Sequence, residues 1–372
     1  MKNGIKKRLY LKYIALVKFF SVILIIKWHL VHQINWTFHV GARMVEILFI
    51  SSGFLIGYNY YNTKINSSFE YSFKYAYKHL RTFYPLYLIN TIINLIENKI
   101  RFNYINKKPF PLLTNIEIIL VKITLLQSWS RYIRSIFNES SWFISVLMFL
   151  YFLSPLLLKG LKNIKLSFTL FIIVAGTRFL VEYFVKNGAA NFFDTTLYFG
   201  PIIRLLEFYL GMLIVPLFFY IKVGLEQIKK YRSFLKVYFT IIQIFFPFQE
   251  YIIMEKYNHL YSSYHVILCS FFMLIIGLDY GYLSNIINNK LLNKLINCQY
   301  EIYILQFRME IFFKRLYPYK LKNNILYIEL LFLLKMILIF LVAYNYKVFL
   351  KEKFAKQMDK IILFFAKIYK IN

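Results

Sequence analysis

At 372 residues, 59% of them hydrophobic and 21% aromatic, with a mean hydropathy of +0.52, this chain carries far more apolar surface than a soluble domain of its size needs. Its formal charge of +29 lies mostly in short loops and tails, with no zinc knuckle or basic helical stripe. Such charge holds topology against anionic lipid and argues against nucleic acid as a partner.

Long apolar runs separated by Lys- and Asn-rich pieces recur from end to end, so residues 1–372 read as a single integral membrane domain. The expected fold is an all-α polytopic bundle embedded in the lipid bilayer. The basic start MKNGIKKRLYLKY runs into an apolar stretch with no clear small-residue cleavage site and reads as an anchor that stays. Spans are predicted, in chain order, at 14–34, 45–61, 83–96, 116–126, 142–158, 166–184, 197–220, 234–248, 261–278, 298–313 and 326–350. They number ten or eleven, depending on whether the short 116–126 piece crosses or only dips.

Lys6, Lys7, Arg8 and Lys12 flank the first span, and Lys64, Lys74, Lys78 and Arg81 follow the second. Both stretches fit the cytoplasm, which places the N-terminus inside and the turn at 32–41 outside. Pro85, Pro155, Pro201 and Pro216 sit at or inside spans, where a kink can open a cavity. No internal repeat of steady period is visible, which weighs against a secondary transporter. Cys269 and Cys298 are far apart and offer no metal spacing; they read as two free small hydrophobes, with a bridge left open. No metal is expected, because no span carries a His-x-x-x-His pair or a set of carboxylate ligands.

Polar residues inside the spans are what lipid does not explain. Lys18 and His29 are eleven residues apart, a turn of about 1100°, so they share one helix face about 16 Å apart along the axis. His29 is suited to accept a proton from a hydroxyl near neutral pH. The alternatives are a snorkelling lysine and an interfacial histidine beside Trp28. Arg43 and Glu46 form an i, i+3 pair ahead of Ser51, Ser52 and Gly53, readable as structural glue or as part of a site. Lys78 and Arg81, ahead of Pro85, could grip phosphates or lipid head groups. Gln127, Trp129, Asn138 and Ser141 surround a polar connector before Trp142. Arg204 and Glu207 form a second i, i+3 ion pair, and Glu301, Gln306, Arg308 and Glu310 crowd one late segment. So many exceptions from separate helices point to one polar cavity; they name no reaction.

In the order and spacing of these residues the chain resembles the acyltransferase-3 family of bacterial integral membrane acyltransferases, from about Leu11 to Leu350. That family's first helix carries an Arg, ten residues and a catalytic His; Lys18 and His29 stand there, Lys keeping the charge and losing the fork. Gly41, Val45, Glu46, Phe49, Ser52 and Gly53 match its second motif, with Leu48 where one Phe is common. Lys78, Arg81 and Pro85 match its Arg-x-x-Arg motif. Trp142, Tyr151 and Pro155 match the middle motif, in which Leu147 and Met148 stand where many relatives have Glu. Arg204, Glu207 and Gly211 match a later one, and Gln299, Tyr300, Tyr303, Leu305 and Gln306 the last, with Gln306 replacing a His.

The resemblance implies O-acylation, most commonly acetylation, of an envelope polysaccharide, lipopolysaccharide or lipid-linked glycan precursor at the bacterial cytoplasmic membrane. Acyl-CoA, acetyl-CoA above all, would be the donor co-substrate, with no tightly bound cofactor. It implies His29, Lys18 and Glu46 as catalytic residues, and Lys78, Arg81, Ser52, Gly53, Trp142, Arg204 and Glu207 as donor-binding ones. The competing expectation is a transporter or flippase of a lipid-linked saccharide, which would share the spans and the cavity.

Overall fold

A computed structural model describes residues 11–31, 40–63, 65–100, 112–130, 132–133, 139–186, 198–227, 232–256, 262–278, 282, 290–315 and 325–368. Among the described residues every regular element is helical. The first half contains α1 (Lys12–Val31), α2 (Val40–Tyr60), α3 (Phe69–Leu80), α4 (Tyr84–Ile100), α5 (Leu112–Ile123), α6 (Trp142–Leu157) and α7 (Ile164–Lys186). The second contains α8 (Pro201–Leu213), α9 (Val215–Gln227), α10 (Arg232–Lys256), α11 (Ser262–Gly277), α12 (Lys290–Asn297), α13 (Gln299–Arg315), α14 (Ile325–Asn345) and α15 (Lys351–Ile368). The turn expected outside, at 32–41, falls almost wholly beyond the described residues, as does Asn138.

Among the described residues, six stretches are long and apolar enough to cross a membrane: Tyr13–Leu30, Gly41–Tyr60, Trp142–Leu161, Ile164–Phe184, Pro201–Gln227 and Leu326–Lys360. The chain is therefore a multi-pass membrane protein. Ser233–Phe245 and Ser263–Gly277 are apolar but shorter. Helices also form at three more of the predicted spans, but α4, α5 and α13 have 17, 12 and 17 residues. Those lengths fall short of the roughly 20 residues that cross hydrocarbon without thinning it.

Side-chain direction separates lipid from core. α7 turns Ile172, Ile173, Leu180 and Phe184 outward and buries Arg178 and Glu182; α14 exposes Leu326, Leu330 and Leu333 and buries Lys335. An apolar exterior around a polar interior is what a bilayer demands. The prolines mostly begin helices instead of kinking them. Pro85, Pro201 and Pro216 lie in the first turns of α4, α8 and α9, where a missing N–H costs nothing. Pro155 alone of the four sits deeper, near the end of α6, which then tightens into a 3₁₀ turn at Leu158–Leu161.

Among the described helices the most extensive packing joins α2 to α8. Its closeness depends on two glycines used reciprocally: a methyl on Gly53 would run into the Phe208 carbonyl, and one on Gly211 into the Ile50 carbonyl. Backbones that touch in this way need residues without a Cβ. α1 packs beside α2, and α13 packs beside α1 and α14, so polar residues distant in sequence become neighbours.

Candidate functional site

A cavity of about 240 Å³ opens where the end of α1 meets α13, the start of α6 and the residues leading into α8. Its polar lining is His29, Ser140, Gln306 and Glu310; its aromatic lining is Trp28, Trp142, Tyr198, Phe199, Tyr303 and Phe307. His29 is partly exposed within it, and its Nδ1 lies 3.9 Å from Glu310 Oε2. That is beyond hydrogen-bond length, so the contact between the two is electrostatic. Trp28 stands edge-on to the His29 ring, with centroids 4.8 Å apart. Gly41 at the head of α2 leaves room for that indole, since a side chain there would strike it.

The far wall is held by its neighbours. Trp142 packs on Tyr198 and Phe199 with centroids 5.2 and 5.0 Å away, and Tyr303 on Phe143 at 4.7 Å. The connector before α6 is pinned by side chains: Gln127 Nε2 donates to the Ser141 carbonyl (2.9 Å), Ser128 Oγ to the Trp142 carbonyl (2.7 Å), and Lys122 Nζ to Ser141 Oγ (3.0 Å). Gln127 and Ser141 thus act from behind the cavity by fixing the segment that carries Ser140 and Trp142.

A charge lattice lies behind the aromatic wall. Arg204 is almost wholly buried; its NH1 donates to Glu207 Oε2 at 2.5 Å and its Nε to the Tyr198 carbonyl at 2.8 Å. The guanidinium also lies over the Tyr198, Phe49 and Trp142 rings, 5.2, 5.5 and 5.9 Å from their centroids. Arg178 of α7 bridges three carboxylates: Glu207 at 3.7 Å, and Glu46 and Glu182 at 3.9 Å. Glu46 also accepts from Arg43 NH1 (3.1 Å) and faces His265 Nδ1 of α11 at 2.8 Å. Ser263 donates its backbone N–H to Glu182 at 2.7 Å and its hydroxyl to the same carboxylate. Three carboxylates thus meet three guanidiniums from α2, α7 and α8, with His265 as a titratable seventh member. Burial of so much charge is tolerable only because each group has partners.

Lys18 occupies a third place. It is buried, and its Nζ donates to Ser52 Oγ (3.0 Å) and Tyr300 Oη (3.2 Å), 5.3 Å from the Tyr300 ring centre. Ser52 in turn donates to the Leu48 carbonyl. Lys18 and His29 share α1, as the spacing predicted, but Lys18 does not line the His29 cavity. The polar residues therefore form three neighbouring groups, where the sequence suggested one shared chamber.

Lys78 is exposed on α3, and Arg81 follows that helix as its cap. Arg81 NH1 lies 3.2 Å from Asp359 Oδ2 on α15, and Tyr77 Oη donates to the same carboxylate at 2.6 Å. Burial, with Asp359 alongside, pushes the Tyr77 phenol well above its usual range. Both cysteines are buried thiols outside any disulfide, and Cys269 Sγ lies 3.3 Å from His265 Nε2.

His265, Arg178 and Glu182 were not singled out from the sequence. Arg178 and Glu182 did leave a signal, an i, i+4 pair of opposite charge within an apolar run; His265 left only a lone imidazole in one. On α13 the polar residues divide by direction. Glu301 pairs with Lys351 at 2.6 Å, and Arg308 reaches Glu97 at 2.6 Å and Asn94 at 2.9 Å, whereas Gln306 and Glu310 face the cavity.

A family model described as an acyltransferase domain matches residues 11–344, nearly the whole chain. No curated protein and no solved structure gives a significant match.

Proposed function

This chain belongs to the acyltransferase-3 family of multi-pass membrane acyltransferases, and we propose that it moves an acyl group, acetyl above all, from acyl-CoA to a hydroxyl of an envelope polysaccharide, lipopolysaccharide or lipid-linked glycan precursor. The observation that carries this reading is the placement of His29: an imidazole on the wall of an aromatic cavity, with a carboxylate 3.9 Å away.

In the proposed reaction the acceptor hydroxyl gives its proton to His29 as its oxygen attacks the thioester carbonyl. The tetrahedral intermediate collapses with cleavage of the carbon–sulfur bond. The imidazolium returns the proton to the departing thiolate, leaving an ester and free CoA. Glu310 steadies the transient imidazolium. Trp142 and Tyr198 form the wall against which the acceptor sits, and Arg204, Glu207 and Glu46 hold that wall from behind.

Lys18, with Ser52 and Tyr300, serves the donor, since about 16 Å of helix rise separates it from His29. Lys78 and Arg81 attract the donor's phosphates from the cytoplasmic side, where Asp359 holds Arg81 in place. Gly53 contributes by letting α2 and α8 close around the site. In this reading the N-terminus is cytoplasmic, the protein resides in a bacterial inner membrane as a single domain, and the shorter helices complete the ten or eleven spans.

The test compares envelope glycans from deletion, complemented and His29→Gln strains by mass spectrometry. The deletion and His29→Gln glycans should each lack one acyl increment that complementation restores. Unchanged acylation in the deletion strain would contradict the function, and unchanged acylation in a well-expressed His29→Gln strain would contradict the base.

A further inference from the structure

Gln306 sits on the cavity wall, only 2% exposed, yet neither Nε2 nor Oε1 of its amide has a hydrogen-bond partner among the described residues. A buried donor and acceptor left unmatched are costly to the fold, and the cost is recovered when a ligand with complementary groups arrives. Its neighbours on the same face of α13 are Tyr303, one turn before, and Glu310, one turn after; both line the cavity. Two other polar residues of that helix, Glu301 and Arg308, are tied instead to Lys351 and to Glu97.

We propose that Gln306 is the acceptor-specificity residue and that it selects a neutral sugar ring carrying adjacent hydroxyls. Its Nε2 donates to one hydroxyl and its Oε1 accepts from the next, a reciprocal pairing that a vicinal diol offers. The aromatic lining covers the apolar faces of the ring, as in pockets where a few polar groups set orientation within apolar walls. A uronic acid or phosphorylated sugar is disfavoured, because the Glu310 carboxylate shares the wall and Gln306 has no charge to pair with an anion. This inference rests on the reading of the cavity as the site of acyl transfer.

The test uses the purified full-length protein, wild type and Gln306→Leu, with acetyl-CoA and the unacylated glycan of the deletion strain as acceptor. Leu keeps the bulk and removes the amide. The KM for glycan should rise about 10- to 100-fold, the loss expected for hydrogen bonds in a dry site, while the KM for acetyl-CoA stays the same. The ligand-free Tm should be equal or higher, since two unmatched polar atoms are gone. The acyl-bearing residue in the wild-type glycan should be a neutral sugar. A glycan KM within twofold of wild type, a lower Tm, or an acyl group on a uronic acid or phosphorylated sugar would each overturn the proposal. A chain that transfers no acyl group at all would instead sink the function proposed above. In that case the Tm comparison still decides whether the Gln306 amide has its partners in the fold.

Discussion

Glu310 faces His29 across 3.9 Å, from a helix almost three hundred residues further along the chain. The carboxylate is buried and the imidazole is partly open to the cavity that both residues line, so in the proposed reaction the acid balances the charge that the base takes up. Replacing Glu310 with Gln preserves shape and removes the charge. The turnover number should fall on the order of 10- to 100-fold, less than on losing the imidazole, because the contact with His29 is longer than a hydrogen bond. Steady-state kinetics on the purified variant check this. An unchanged turnover number would remove Glu310 from the account.

The charge lattice predicts a non-additive stability pattern. Arg204→Met alone leaves Glu207 facing Arg178 at 3.7 Å and should cost about 3–5 kcal/mol, the penalty for breaking a buried pair from one side. Arg204→Met with Glu207→Leu restores the balance of charge and should cost less than Arg204→Met alone. Thermal unfolding of the single and double variants in detergent measures the coupling. Additive losses would mean that Arg204 and Glu207 act independently.

At the α2–α8 seam, Gly53→Ala and Gly211→Ala should each destabilise by about 1–3 kcal/mol, because the new methyl meets a backbone carbonyl that cannot step aside. Gly176 in the middle of α7 has open space where its Cβ would be, so Gly176→Ala should be neutral or stabilising by about 0.5–1 kcal/mol. Equal Tm values for the three variants would contradict the close approach of the two helices.

Much of this was legible in the chain, and the reasons differ by residue. Arg43–Glu46 and Arg204–Glu207 were readable because helix partners three residues apart declare themselves locally, and both pairs form. The use of Gly53 for close helix approach was readable for the same reason. What local spacing could not supply was the third dimension. Nothing near Glu46 in sequence announces His265, which is 219 residues away, and nothing near His29 announces Glu310. Nor could it separate groups that share a helix but face different neighbours: Lys18 turns to Tyr300 while His29 turns to the cavity. The short helices α4, α5 and α13 show the limit of hydropathy, since helices that bury Asn90, Lys122 or Glu301 among protein neighbours need not read as lipid-facing spans.

Orientation gives an independent check. A reporter fused after His39 should be active outside the cytoplasm, because the basic segments on either side of the first two spans hold the opposite ends inside. A cytoplasmic signal at that position would reverse the sides from which donor and acceptor are proposed to arrive.

The most direct measurement of the central claim is the rate of acyl transfer from acetyl-CoA to unacylated glycan by purified His29→Gln protein whose Tm matches wild type. The account predicts a fall of about 10²- to 10⁴-fold, the usual contribution of a general base, with little change in the KM for acetyl-CoA. A folded His29→Gln protein that transfers acyl groups at the wild-type rate would contradict it.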